Sequence, residues 1–226
     1  MGACYNTILV PAVEQSLIFT ALEDALGRLR RRIVYHEAPR IYADGFHYRS
    51  VQMIFVGPAG QSRWVPLSSW GDGLPGPFPT WYRANPLAMS LSRSLSPVIY
   101  LFSFDAGYVA GYSIFKEGEQ VEAQSLTWRA AAPLGEFSPP LKPPQPPSLL
   151  GQLLEDPDFD YGAFRRRFRN LEVAMAALAA RLGTTPHLLD PLHIQDGDGA
   201  IVVEAGEYKP VGLPGWVGVY YEKIST

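Results

Sequence analysis

The sequence predicts an α+β fold: a mostly antiparallel sheet with a central β-meander, packed by two long helices. Three strand-like segments joined by short turns over about 98–125 predict the meander. Apolar residues at helical spacing predict one helix over about 13–30 and a second over about 160–182. Because each helix carries its apolar residues on one side, we expect both helices to cover the sheet.

The meander has clear local signals. Val98–Phe102 is an unbroken run of β-branched, aromatic and aliphatic residues, which is typical of a strand buried on both faces. Pro97 precedes this run and the turn 105–107 follows it, so the run has the length of a strand. Gly118 supplies the positive φ that the next hairpin needs.

The helical segments have recognisable boundaries. The segment 13–30 ends in the basic cluster Arg28–Arg32, which suits the negative end of the helix dipole. The segment 160–182 is followed by Gly183, a residue that often ends helices. The pair Asn85-Pro86 predicts the start of a third, short helix. The three apolar stripes are Ile18, Leu22, Leu26 and Leu29; then Phe164, Phe168, Leu171, Met175, Leu178 and Leu182; and finally Leu87, Leu91 and Leu95.

Strands are also predicted on both sides of the meander. An apolar segment near the start predicts a first strand, and two segments around a Gly-Pro-Ala-Gly turn predict a hairpin. Two more apolar segments near the end predict strands joined by a Gly-rich connection. The first strand is predicted over 5–10, and the hairpin over 50–56 and 62–67. The last two strands are predicted over 200–203 and 217–221, with the connection 206–215 between them.

A proline-rich segment, 131–147, bears on the domain organisation. Its Pro-Pro pairs predict an extended connector that crosses the surface, although a ligand for a proline-reading module has the same composition. The connector divides the chain into 1–130 and 146–226. We favour a single domain over 1–226, because the second part is too short to bury the stripe of 160–182 alone.

Composition excludes several classes of protein. The chain has 226 residues, of which 47% are hydrophobic, and a net charge of -3, which does not favour nucleic acid or an anionic membrane as a partner. No apolar run reaches the roughly 18–20 residues of a membrane span. The single cysteine, Cys4, excludes an internal disulfide. We expect a cytoplasmic protein without a signal peptide, and the excess of Arg over Lys indicates a bacterial source.

The segment 68–83 has an unusual composition for a loop, because it places large aromatic residues among glycines and prolines. Trp70, Trp81, Tyr82 and Arg83 are the residue types that dominate protein–protein interfaces: rigid amphipathic rings and a forked cation. The same set can stack a sugar or a base. The alternative is that both tryptophans pack under the loop onto the core.

These features predict a non-enzymatic binding protein whose partner is another protein. The sequence has no Gly-x-Ser-x-Gly elbow, no phosphate-binding loop and no dinucleotide fingerprint. The histidines have no metal-ligand spacing, so we expect no cofactor or metal. The alternative is a hydrolase-type enzyme whose site is assembled from the non-adjacent Asp105, His47 and Cys4.

Nucleic-acid binding is a third interpretation, carried by two basic clusters. Arg28–Arg32 and Arg165–Arg169 would form one cationic surface only if the fold placed both clusters on the same face. Basic residues in the last turn of a helix are ordinary, so we expect no nucleic acid partner.

Overall fold

The structure of the chain, a computed structural model, describes residues 5–35, 51–60, 62–69, 85–104, 109–127, 147–168, 171–184, 201–204, 207–210 and 217–224. Within these residues the chain forms strands and helices in mixed order. They are β1 (Tyr5–Pro11), α1 (Gln15–Arg28), β2 (Arg31–Tyr35), β3 (Val51–Val56), β4 (Trp64–Ser69), α2 (Pro86–Leu91), β5 (Val98–Phe104), β6 (Val109–Lys116), β7 (Glu119–Thr127), α3 (Leu149–Leu153), α4 (Tyr161–Arg166), α5 (Leu171–Arg181), β8 (Ile201–Glu204), β9 (Glu207–Pro210) and β10 (Val217–Lys223).

One large sheet organises the described residues. Its eight strands lie in the order β2-β10-β3-β4-β1-β5-β6-β7, and every neighbouring pair is antiparallel. β8 and β9 form a separate antiparallel pair. The predicted α+β class with a mostly antiparallel sheet is confirmed.

The predicted meander is present as β5-β6-β7, but it occupies one end of the sheet and not its centre. β1 pairs with β5 on one side and β4 on the other, so the first strand of the chain takes an inner position. The reason is burial on both faces: Ile8, Leu9 and Val10 have no exposed surface. The β6–β7 turn contains Gly118 at φ +87, as its sequence predicted.

The sheet is covered on both faces because its side chains alternate. On the first face, Ile8, Val10 and Tyr100 pack with α1 and α2. On the second face, Leu9 and Leu101 pack with α3, α4 and α5. The apolar stripes of α1 and of the α2 segment are buried as predicted, apart from Leu29, which is partly buried.

The predicted helix over 160–182 is wrong as one element, because it is two helices, α4 and α5. Asp160 caps α4 by accepting a hydrogen bond from the backbone N–H of Ala163 at 3.0 Å. The break follows Arg165–Arg167, and Arg165 and Arg169 would be like charges at i and i+4 in a continuous helix, which destabilises it. The stripe still reaches the second face, where Met175 is buried.

The remaining strands agree with the sequence patterns except at β9. The hairpin β3–β4 and the strands β1, β8 and β10 lie close to their predicted bounds. β9 was predicted to be part of the connection 206–215, and it pairs with β8 instead. Its residues Glu207–Pro210 are mostly polar and contain no β-branched residue, so local propensity gave no strand signal.

Elements from both sides of the proline-rich connector share one core and one sheet. β10 pairs with β2 and with β3. The helices α3 to α5 bury their apolar side chains against β1, β5 and β6. Residues 131–146 lie outside the described part of the chain. Among the described residues, no helix has the length and apolar character needed to cross a bilayer.

Candidate functional site

The side chains that the sequence singled out for binding or catalysis lie outside the residues that the structure describes. They lie in the ranges 1–4, 36–50, 70–84 and 105–108, none of which belongs to the described residues. These residues are Trp70, Trp81, Tyr82 and Arg83 for binding, and Cys4, His47 and Asp105 for the alternative enzyme site.

What the structure does describe is the scaffold that holds both ends of the aromatic segment 70–84. On one side, Ser69 ends β4 and pairs with Ile54 of β3 inside the large sheet. On the other side, Asn85 precedes α2, which packs on the first face of the sheet. The segment is therefore attached to two buried elements, at the end of an inner strand and at the start of a helix.

Asn85 forms the second attachment point, and its local sequence explains its geometry. Its Oδ1 accepts a hydrogen bond from the backbone N–H of Ala88 at 3.0 Å, which caps α2. Pro86 in the first turn has no N–H to satisfy and fits the helical φ. Asn85 is 1% exposed, and its Nδ2 has no hydrogen-bond partner in the described part of the chain.

Tyr100 of β5 lies in the first-face core. Its side chain has no exposed surface, and its ring lies 5.5 Å from the ring of Phe102, centroid to centroid. Burial raises the pKa of the Tyr100 hydroxyl far above its usual range, and the nearby Asn85 side chain offsets a part of that rise. The Asn85 side chain therefore lies beside the hydroxyl, which has no other hydrogen-bond partner among the described residues.

Asn85 and Tyr100 together present neutral hydrogen-bonding groups in an apolar core. The amide nitrogen can donate, and the phenol can donate and accept. Because burial raises the pKa of the Tyr100 hydroxyl, that group stays protonated and is not suited to act as a nucleophile or base. Sequence reasoning identified Asn85 as a cap and Tyr100 as a buried strand residue, but nothing in the sequence placed them together.

A second polar cluster, on the second face, is fully paired and structural. The buried Glu122 of β7 accepts hydrogen bonds from the Tyr112 hydroxyl at 2.9 Å and from the backbone N–H groups of Leu149 and Leu150 at 2.6 and 3.1 Å. The carboxylate thus binds the first turn of α3, where the helix dipole favours negative charge. Burial and Glu122 both raise the pKa of the Tyr112 hydroxyl. The strand pattern gave no signal for a buried carboxylate.

Arg63, just before β4, joins the ends of two helices. Its Nε donates to the carbonyl of Leu182 at 3.3 Å, after α5, and its Nη2 donates to the carbonyl of Leu153 at the end of α3. Its Nη1 also forms an ion pair with Glu155 at 3.2 Å. Helix C-termini carry unpaired carbonyls, which a forked guanidinium can satisfy. The role of Arg63 is therefore to hold the second-face helices.

The two basic clusters do not share one face of the sheet. α1, which ends at Arg28, packs on the first face, whereas α4, which contains Arg165 and Arg166, packs on the second. Arg32 lies in an edge strand, where its Nε donates to Glu222 at 2.6 Å.

No metal centre stands out among the residues that the structure describes, where no three His, Cys, Asp or Glu side chains gather to hold an ion. All four histidines and Cys4 lie outside those residues. The class that the structure defines is an α+β domain with helices on both faces of an eight-stranded antiparallel sheet. No protein-family model, curated protein or solved structure matches the chain.

Proposed function

We propose that the protein is a non-enzymatic binding protein that contacts another protein through the aromatic segment 70–84. The observation that carries this proposal is the attachment of an aromatic, arginine-containing segment to buried elements at both ends. Ser69 lies in the sheet and Asn85 is the buried cap of α2. Binding residues are commonly placed on loops that a rigid scaffold positions.

The chemistry of the segment suits protein–protein contact. Trp and Tyr rings bring large apolar area with few rotatable bonds, so ordering them on binding costs little entropy. Arg83 adds a planar cation that can bind a carboxylate through two parallel hydrogen bonds. Trp81, Tyr82 and Arg83 are consecutive and lie immediately before the residues that attach the segment to α2.

A pull-down from lysate of the source organism tests the proposal with the double variant Trp81→Ala, Arg83→Ala. We expect wild-type protein to retain one partner protein in a fixed ratio and the variant to lose it. A matched control, Leu17→Ala with Arg28→Ala, removes one large apolar residue and one arginine from the exposed side of α1 and should retain the partner. Circular dichroism must show that both variants are folded.

The proposal would be overturned if both variants retained the partner protein equally. It would also be overturned if the wild-type protein retained no protein in a fixed ratio. The alternative function is then the hydrolase assembled from Asp105, His47 and Cys4. A panel of ester, amide and phosphate substrates tests it. Activity that Cys4→Ser abolishes, with folding intact, would support a nucleophilic cysteine.

A further inference from the structure

We propose that the outer edge of β2, with Arg30, Arg31 and Lys223 beside it, is a second interaction surface, which binds an extended acidic segment of another protein. The surface lies on and next to β2 and β10, outside the aromatic segment 70–84, so it does not depend on the proposed function. Two independent observations point to it: a strand that pairs on one side, and a group of cations without counter-ions, both among the described residues.

β2 is the last strand at one end of the large sheet. Among the described residues it pairs only with β10, so the backbone N–H and C=O groups along its other side have no strand partner there. Such an edge can accept a further strand from another chain through main-chain hydrogen bonds. β2 has 5 residues, Arg31–Tyr35, so it can pair with a short extended segment.

The charges on β2 and β10 are paired unequally. Arg32 lies opposite Glu222, and the two side chains form an ion pair. Arg31 lies directly opposite Lys223, so two like charges face each other across neighbouring strands. Directly opposite residues have Cβ atoms only about 4.5–5.5 Å apart, and like charges at such positions destabilise a sheet. A carboxylate from a partner would relieve this repulsion.

The cations beside this edge have no counter-ion in the described part of the chain. None of Arg30, Arg31 and Lys223 forms an ion pair there, and the neighbouring carboxylate of Glu222 is already bound by Arg32. Arg30 and Lys223 are exposed. Arg31 is partly buried, and its enclosed Nε has no hydrogen-bond partner among those residues. Water therefore screens the charge of Arg31 less than that of an exposed arginine.

The backbone holds the three cations close together. Arg31 and Lys223 are cross-strand partners, and the carbonyl of Arg30 accepts a hydrogen bond from the N–H of Ile224 at 3.0 Å. The side chain of Ile224 is 42% exposed, so an apolar residue adjoins the cations. A segment that carries carboxylates and an apolar side chain complements this surface.

A second copy of the chain and a nucleic acid fit this surface less well. Two copies paired through β2 would bring the cations of each against those of the other, and like-charge contact is costly. The four cations of Arg30–Arg32 and Lys223, with the carboxylate of Glu222, give the surface a charge of +3, whereas the whole chain carries -3, so the remainder carries -6. That remainder repels a long polyanion, whereas a short acidic segment contacts the surface alone.

Fluorescence anisotropy tests the proposal with a labelled short peptide of alternating Glu and Val. We expect the wild-type chain to bind it, and the double variant Arg30→Gln, Lys223→Gln to bind it about tenfold more weakly, because two charge contacts are lost. The matched control Arg166→Gln, Arg167→Gln makes the same change of net charge at exposed positions at the end of α4, and should bind as the wild type does. Circular dichroism must show that both variants are folded.

Two modified peptides separate the charge contacts from the strand pairing. A peptide with Gln in place of Glu removes the charges, and an N-methylated peptide cannot donate main-chain hydrogen bonds to β2. We expect both changes to abolish binding. Equal binding of the N-methylated and unmodified peptides would overturn the proposal, because pairing with the edge would then play no part.

Three other results would also overturn the proposal. The first is absence of binding by the wild type, or equal binding by the double variant and its control. The second is tighter binding of a single-stranded oligonucleotide of the same charge, which would identify nucleic acid as the occupant. The third is a wild-type dimer in size-exclusion chromatography that the double variant loses, which would identify a second copy of the chain.

The variant Lys223→Gln gives an independent measurement without any peptide. Because it removes one of two like charges that face each other, we expect it to raise the Tm by about 1–2 °C. Lys116→Gln is the matched control, since Lys116 lies opposite Glu119, and it should not raise the Tm. An unchanged or lower Tm for Lys223→Gln would mean that this charge is already compensated within the chain, and the proposal would fail.

Discussion

At the scale of single residues, three polar side chains bind backbone groups at helix ends, and two of them, Glu122 and Asn85, are buried. Glu122 binds the start of α3 and Asn85 caps α2. Arg63 binds carbonyls at the ends of α3 and α5. Each satisfies backbone groups that a helix terminus leaves unpaired, and Glu122 and Arg63 thereby couple helices to β7 and to the residue before β4. These contacts are more specific than apolar packing, because they fix the position of a helix end.

We expect Glu122→Gln to lower the free energy of unfolding by about 1–3 kcal/mol, because an amide cannot replace a carboxylate that accepts from two backbone N–H groups and a phenol. The NH2 group of the glutamine side chain would face the same hydrogen-bond donors and could not accept from them. Urea unfolding followed by circular dichroism measures the change.

Glu119→Gln is the matched control for that experiment. It makes the same chemical change in the same strand, where the side chain is exposed, so we expect a change within about 0.5 kcal/mol. Equal effects of the two substitutions would contradict a specific role for the buried carboxylate.

At the scale of elements, the turns and helix ends show where glycine is required and where it is not. Gly118 lies at φ +87 in the β6–β7 turn. The end of α2 contacts this turn, because the N–H of Gly118 donates to Oγ of Ser92, the C-cap residue of α2, at 2.9 Å. Gly27 lies in the last turn of α1 with open space around its Cα. The two positions therefore differ in backbone conformation and not merely in sequence context.

We expect Gly118→Ala and Gly27→Ala to have opposite effects on stability. Gly118→Ala should destabilise by about 1–2 kcal/mol, because a side chain strains a left-handed backbone. Its Cβ would also lie 2.8 Å from Nε of Arg93, whose exposed side chain can move. Gly27→Ala should stabilise by about 0.5–1 kcal/mol, since alanine loses less backbone entropy in a helix. Thermal unfolding of the two variants checks both signs, and a gain from Gly118→Ala would contradict the described turn.

At the scale of the whole molecule, the order of strands ties the two ends of the chain together. β10 lies between β2 and β3, so a strand from after the proline-rich connector is enclosed by two from before it. The second-face core likewise joins Leu9 and Ile99 to Leu150 and Leu178. We propose on this basis that 1–226 is one cooperative domain.

Cleavage within the connector tests this organisation. With a protease site inserted between residues 131 and 146, we expect both fragments to remain associated after cutting, because separation would remove β10 from the sheet. Size-exclusion chromatography measures the association. Two fragments that elute separately and remain folded would contradict the single domain and favour 1–130 and 146–226.

Alkaline pH should unfold the chain through its buried tyrosines. Burial raises the pKa of Tyr100, Tyr112, Tyr161 and Tyr221 above the usual value of about 10. Above about pH 10 the unfolded chain then binds fewer protons than the folded chain. The contribution of these tyrosines to the free energy of unfolding is therefore fully present below that pH and falls as the pH rises. Phenolate absorbance and circular dichroism should change together for these four residues. Their ionisation while the fold persists would contradict this expectation.

The sequence by itself determined the α+β class, most helix and strand bounds and the caps, because these depend on local side-chain chemistry: apolar spacing, Asn85-Pro86 and Gly118. The tertiary structure alone decided that the meander lies at one end of the sheet and that β10 lies between β2 and β3. It also decided that Glu122 accepts hydrogen bonds from the start of α3. Pairings between residues far apart in the chain depend on which faces are buried together, and a local pattern carries no information about that.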